Sequence, residues 1–308
     1  MVEITAALVQ RLRVETGTGM MDCKKALIET GGDLETAVDW LRTKGLSSAA
    51  KKASRVASEG LVGVVGVEGG AAMVEINAET DFVARNDSFQ ELVRTVAGLA
   101  IDHGDSIDSL AQAAYPGGEG AVSDKVAAMI ATIGENIQLR RCAALSVGNG
   151  IVASYIHGAT APQMGRIGVL VALESTGEEA KLMTLGKQIA MHVAAARPEA
   201  LSVEDLDSAA VERERHILRE QAKESGKSDE IIDKMVQGRL RKYFEEVVLL
   251  EQIFVVDGET KLAKVMENAA GDVGATVNIS GFIRFALGEG IEKEAKDFAA
   301  EVAAQASS

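Results

Sequence analysis

Thr80-Asp81-Phe82-Val83 sets a carboxylate beside a bulky aromatic where an alternating run gives way to a polar stretch. On the residues alone two readings stand open. Phe82 folds back to cap the core of its own unit, or it is presented as a wedge for another protein's groove, since aromatics are enriched among interface hot spots. The remaining candidates carry little chemistry. The glycine-rich stretch from Gly60 to Gly70 lacks the Gly-Lys-Ser/Thr ending of a phosphate-binding loop. Gly148-Asn149-Gly150 with Ala153 imitates a dinucleotide fingerprint, yet Asn-Gly between two alternating runs is the stronger signal for a tight hairpin turn. His103, His157, His192 and His216 are scattered without ligand spacing or a neighbouring nucleophile. His192 lies on an apolar helix and reads as a packed core residue, whereas His157 begins a longer loop, where a contact role is open. Cys23 and Cys142 show no CxxC spacing, which supports neither a disulfide framework nor a zinc site. Nothing assembles a general acid, a base and an oxyanion donor, so the reading is of a protein that is not an enzyme and takes no cofactor or metal.

The elements that must position these residues follow from periodicity. Thr5 caps a first helix, a second runs from about Met20 to Thr30, and Asp33 caps a third that ends before Gly45. Lys51, Lys52 and Arg55 then punctuate a linker. From Gly60 the period becomes two, and a hairpin turns at Glu68-Gly69-Gly70 with Val74, Ile76 and Ala78 on one face. Ser88 with Glu91 makes a capping box for a helix striped by Phe89, Leu92, Val93 and Val96. The same strand, strand, helix unit recurs. A hairpin over Asn149-Gly150 and a strand carrying Ile167, Val169, Val171 and Leu173 lead into a helix with Leu182, Ile189 and Val193. After Pro198 two charged helical arms with a narrow apolar seam, separated at Gly226, read as an antiparallel coiled-coil hairpin. A further strand pair is expected at residues 247–256 and 275–285, and an amphipathic helix closes the chain.

Composition bounds the partners. The formal net charge of −14 repels phosphate backbones and argues against direct nucleic-acid binding. Hydrophobic residues at 47% with charged residues at 25% describe a globular protein, and aromatics at 4% leave the core mostly aliphatic. No stretch approaches the roughly 18 apolar residues of a membrane span, and the first residues lack a secretory apolar region. A cytoplasmic protein with no membrane partner is expected.

Four stretches carry a resemblance. ITAALVQRLRVETGTGMMDCKKALIETGGDLETAVDWLR, NAETDFVARND, IGENIQLRR and GFIRFALGEGIEK resemble the signature blocks of the elongation factor Ts family, in that family's order and over essentially the whole chain. The fold class implied is α+β. Residues 1–55 form an N-terminal three-helix, ubiquitin-associated-like bundle, residues 56–140 one core subdomain, and residues 141–198 with 245–287 a second, similar one. Residues 199–244 are the inserted coiled-coil hairpin and residues 288–308 a C-terminal helical module. The resemblance further implies a guanine-nucleotide exchange factor whose partner is the GTPase elongation factor Tu. By position, Asp81 and Phe82 with flanking Thr80 and Val83 would disturb the magnesium site of that GTPase. Met20, Met21 and the tail helix would grip its nucleotide domain, and His157 matches a family contact histidine. A homodimer or a 2:2 complex through the coiled coil is left open. The loop at residues 157–166 and the segment before Gly281 are longer than the family's usual form.

Overall fold

The computed structural model of the chain describes residues 4–16, 18–117 and 120–292. The expected helix of residues 288–308 lies, from residue 293 onward, outside the described residues. Helices α1 (Ala6–Thr16), α2 (Met20–Glu29) and α3 (Leu34–Lys52) are followed by strands β1 (Glu59–Val67) and β2 (Gly70–Ala78). Next come α4 (Asp87–Leu99), α5 (Ile107–Gln112), α6 (Val122–Ile133) and β3 (Ile137–Ser146). Strands β4 (Gly150–Ala161) and β5 (Met164–Glu174) precede α7 (Glu179–Ala196), α8 (Ser208–Lys223), α9 (Asp229–Val247), α10 (Leu262–Val273) and β6 (Asn278–Ala286).

The first three helices start where their caps require. Thr5 Oγ1 accepts the Leu8 amide at 3.2 Å, and Asp33 Oδ1 accepts the Thr36 amide at 2.8 Å. Leu12, Cys23, Ala26, Leu27 and Ala37 fill their shared core. The third helix does not end before Gly45 as expected. It continues through Lys52, so Lys51 and Lys52 are helical rather than part of a linker. Gly45 marks a close helix crossing instead, because a Cβ there would stand 3.1 Å from the Ala131 methyl on α6. That proximity offsets the roughly 1 kcal/mol a mid-helix glycine costs.

Strands β1, β2 and β3 form one antiparallel set, with β2 central, and β4, β5 and β6 form another, with β5 central. The two sets join where Val62 and Gly63 of β1 pair with Gly165 and Met164 of β5. Each set is built in the same order: two strands, a helix, further helices, then the third strand. Between the sets lie Val62, Val64, Met73, Leu170 and Phe285. On the outer faces, α4 and α6 cover Leu61, Val74 and Ile76, while α7 and α10 cover Val169, Val171 and Leu173. β2 was expected to alternate, but it is buried on both faces from Gly70 to Ala78, and its residues are accordingly nearly all apolar. The expected hairpin over Asn149-Gly150 is not formed. β3 spends its hydrogen bonds on β2, from Ile137 opposite Ala78 to Ser146 opposite Gly70, and β4 pairs with β5. Asn149-Gly150 is therefore a crossover between the two sets.

The strand expected at residues 247–256 is also absent among the described residues. Its amides are taken elsewhere: Leu249 donates to Ala200 O at 2.8 Å and Phe254 to Thr260 O at 2.8 Å. Only β6 forms, and α10 fills the interval. The helical hairpin is present, held by Leu218, Ala222, Ile232, Val236 and Leu240. Its two ends meet at one gate, where Glu199 donates to Val247 O at 2.7 Å and Ala200 bridges Val248.

Two buried polar residues tie distant segments together. Glu75 on β2 has no exposed surface. Arg140 Nη1 reaches its Oε1 at 2.8 Å, Arg141 Nε its Oε2 at 2.6 Å, and the Gly288 amide its Oε1 at 2.8 Å. Desolvation pushes this carboxyl upward, but the Gly288 amide and the two guanidinium groups outweigh it and hold the carboxyl below its ordinary value. His192 on α7 is equally buried. Its Nδ1 accepts the Val255 amide at 3.2 Å, which leaves the proton on Nε2 to be donated to Gln252 Oε1 at 2.9 Å. Burial lowers its pKa below the ordinary 6.5, with Gln252 opposing.

Because the folded His192 resists a proton that the unfolded chain accepts, its stabilising arrangement is intact above pH 6.5 and weakens as pH falls below that value. Urea unfolding at pH 7.5 and 5.5 should show a loss of at most about 1.4 kcal/mol per pH unit from this group. The His192→Gln protein, whatever its starting stability, should lose less over the same interval.

Candidate functional site

The candidate site is built at the exit of β2. After Ala78 the chain makes a single 3₁₀ turn at Val83–Arg85, with the Arg85 and Asn86 amides donating to Phe82 O and Val83 O at 3.1 and 3.0 Å. This turn leaves Asn86 extended, and its Oδ1 accepts the Phe89 amide at 3.1 Å to cap α4. The expected Ser88 and Glu91 capping box is thus replaced by a cap two residues earlier, since the turn delivers Asn86 to that position first. Gln90 Nε2 donates to Ala84 O at 3.0 Å and fastens the turn to the helix it precedes.

Within the turn, neighbours part company. Phe82 is 79% exposed, and Asp81 beside it is exposed too. The core-capping reading of Phe82 is not what the fold adopts. Val83 takes the inner position, buried in the cluster that holds Phe89 and Leu92. Thr80 is half-buried and donates both its amide and its hydroxyl to Glu135, at 2.9 and 2.7 Å. The bracing is reciprocal, for the Asn136 amide donates to Glu79 Oε1 at 2.6 Å. Asn136 Nδ2 donates to Arg55 O at 2.7 Å, and the Arg55 guanidinium lies 3.4 Å from Glu79. Gly134, in the left-handed region at φ 89°, ends α6 and turns the chain so that Glu135 faces Thr80. Glu79, Glu135 and Asn136 received no role from the sequence. The available signal was a polar pair between a helix-ending glycine and a strand.

The other expected contact residues stand on separate elements. Met20 and Met21 open α2 with 45% and 77% of their surface exposed. His157 is exposed, but it does not begin a loop: it lies within β4 opposite Ile167. The segment at residues 157–166 is mostly the far end of the β4–β5 hairpin, closed by a turn at Pro162-Gln163. Tyr155 Oη is 3.2 Å from His157 Nδ1, and the two rings lie 6.2 Å apart.

Among the described residues no group of three His, Cys, Asp or Glu is arranged to hold a metal ion, and no helix is long and apolar enough to cross a membrane. Both thiols are buried, and burial raises them above their ordinary value. A cavity of about 430 Å³ opens between α3 and α6, bordered by Thr16, Arg42, Asp124 and Ala131, and none of the expected site residues lines it.

Residues 79–289 match the profile of a family described as Elongation factor TS. The elongation factor Ts of Rhodospirillum rubrum is 63% identical over 306 residues, covering 99% of this chain and 99% of its own. That of Rhodospirillum centenum is 61% identical, covering 99% and 100%. The elongation factor Ts of Gluconobacter oxydans is 58% identical, with 99% of each chain covered.

The split between Phe82 and Val83 makes a stability forecast. Val83→Ala should destabilise the protein by roughly 2 kcal/mol through lost burial and a residual void. Phe82→Ala should stay within about 0.5 kcal/mol, as surface substitutions do. Denaturant unfolding of both variants checks this, and equal losses would contradict it.

Proposed function

Because the chain belongs to the elongation factor Ts family, we propose that it is a guanine-nucleotide exchange factor that binds elongation factor Tu carrying GDP, disturbs the magnesium and phosphate site of that GTPase, and promotes GDP release. GTP then refills the site during translation elongation. The observation that carries this reading is Phe82, a large aromatic held in solvent on a turn braced from both sides. A side chain exposed at that level on an ordered turn is prepared to enter a partner's groove without first paying to be ordered.

Mechanism follows from linkage. If the exchange factor prefers the GTPase with a deformed metal site, the GTPase holds GDP less tightly in the complex by the same factor. Magnesium demands near-octahedral geometry, so a small displacement of the elements around it weakens its bridge to phosphate. In this assignment Phe82 supplies the displacement and Asp81 assists it, while Thr80 and Val83 hold the turn from either side. Met20 and Met21 on the bundle of residues 1–55, with the module of residues 288–308, grip the nucleotide domain, and His157 on β4 adds a contact. The two core segments, residues 56–140 and residues 141–198 with 245–287, set the distance between these points. The hairpin of residues 199–244 serves assembly or secondary contact, since its seam offers nothing that reaches a buried metal. No bond is made or broken by the factor itself.

The test is release of fluorescent GDP from elongation factor Tu on addition of this protein. The parent should accelerate release strongly, Phe82→Ala should abolish most of the acceleration at unchanged stability, and Asp81→Ala should act in the same direction more mildly. A folded Phe82→Ala protein that releases GDP at the parent rate would overturn the assignment.

A further inference from the structure

We infer that Glu135 is a positioning residue for the Asp81-Phe82 turn, and that its clasp with Thr80 sets how far Phe82 enters the partner; the inference rests on the exchange reading above.

Three segments that are remote in sequence converge behind the turn. Arg55 follows the last helix of the N-terminal bundle, Glu79 and Thr80 follow β2, and Glu135 and Asn136 join α6 to β3. One Glu135 carboxylate takes both donors of Thr80, the amide at 2.9 Å and the hydroxyl at 2.7 Å, through its two separate oxygens. Bonds to a charged acceptor are about twice as strong as neutral ones, and the two together fix direction as well as distance. Glu79 and Asn136 repeat the exchange in the opposite sense at 2.6 Å. Asn136 also holds Arg55 O at 2.7 Å, which extends the clasp to the chain leaving α3. Immediately beyond Thr80 the side chains of Asp81 and Phe82 stand in solvent, and inward packing resumes only at Val83. On one side, then, the exposed pair is held by burial of an aliphatic side chain. On the other Thr80 is held by Glu135, with the Glu79–Asn136 bond anchoring the chain one residue earlier. Releasing that side leaves Phe82 on a hinge at Val83, free to retreat when it meets the partner. Because Arg55 belongs to the same clasp, the spacing between the helical bundle and the turn is set at this point too.

The prediction separates positioning from folding and from binding. In the free protein, hydrogen exchange of residues 80–86 should quicken roughly tenfold in Glu135→Ala, the scale of losing hydrogen bonds to a charged group. Thr80→Val should quicken it less. With fluorescent GDP on elongation factor Tu, Glu135→Ala should lower the saturating release rate roughly tenfold or more, while the concentration for half-saturation shifts little. Glu135→Gln should recover most of that rate, because its carbonyl still accepts the Thr80 amide and its amino group can donate to the hydroxyl. Glu135→Ala added to Phe82→Ala should cost nothing further. Unchanged exchange at residues 80–86 in both Glu135→Ala and Thr80→Val would overturn the clasp, and so would a loss confined to half-saturation. If instead Phe82→Ala releases GDP at the parent rate, the functional reading falls, while hydrogen exchange still reports whether Glu135 holds the turn.

Discussion

A carboxylate with none of its surface in water lies in the middle strand of the first strand set, and much of the architecture answers its need for partners. An isolated charge buried in this way costs many kcal/mol, and only convergent donors make it tolerable. Consecutive residues of a regular strand point to opposite faces, so Arg140 and Arg141 would not ordinarily meet on one acceptor. Here the β2–β3 register slips between Glu75 and Ile76, with Arg141 opposite Glu75 and Leu139 opposite Ile76. The extra residue is Arg140, and the bulge swings it onto the same carboxylate. Asn77 Nδ2 donates to the same carboxylate at 3.1 Å, and the end of β6 with the chain after it is drawn to the cluster. Gly288 donates to Glu75, Arg141 Nη2 donates to Ala286 O at 2.9 Å, and Arg284 meets Glu289 at 3.0 Å. Closure of the second strand set over the first is thereby fastened at a charge, while Val64, Met73, Leu170 and Phe285 supply the apolar filling beneath it.

The parts of this fold that could be read along the chain are those decided by neighbours in the chain. Thr5 and Asp33 cap helices through residues three positions on, and Glu68-Gly69 closes a hairpin between strands that pair with each other. Alternation at Ile167, Val169, Val171 and Leu173 marks a strand whose outer face is covered by α7 and α10. Misreadings arise where a distant partner decides. Asn149-Gly150 has the chemistry of a hairpin turn, but β3 had already been claimed by β2. The apolar run at residues 247–256 has the composition of a strand, yet Gln252 is committed to His192 on α7 and the backbone to Ala200 and Thr260. Gly45 has the look of a stop until the methyl of Ala131 occupies the space its side chain would need.

The site divides the same way. An aromatic beside a carboxylate in a polar stretch draws notice to Asp81 and Phe82, and the sequence left open which way the ring would turn. Burial of Val83 resolves that locally: in so tight a turn the inward place can be filled by only one of two adjacent large side chains. What holds the other flank was not legible, because Glu135 is 55 residues from Thr80, and a polar pair after a helix-ending glycine does not say which distant donor it will meet. His157 shows a related limit. Its exposure was foreseeable, but its place on a strand depends on how far the β4–β5 pairing extends beyond the sheet.

The gate at the base of the helical hairpin has an evolutionary corollary. Chain enters and leaves this insertion through residues that touch, Glu199 with Val247 and Ala200 with Val248, and the core's further bonds to it, from Gln252 to Glu246 O and from Lys261 to Glu245, lie at the same base. Adding residues to a closed excursion costs little, because loop-closure entropy grows only with the logarithm of length. Turns of helix can therefore be gained or shed in matched pairs at the tip, around Gly226, while both strand sets keep every contact they have. The hairpin is the place where descendants of this scaffold can vary in reach, or acquire a graft, at the smallest risk to the rest.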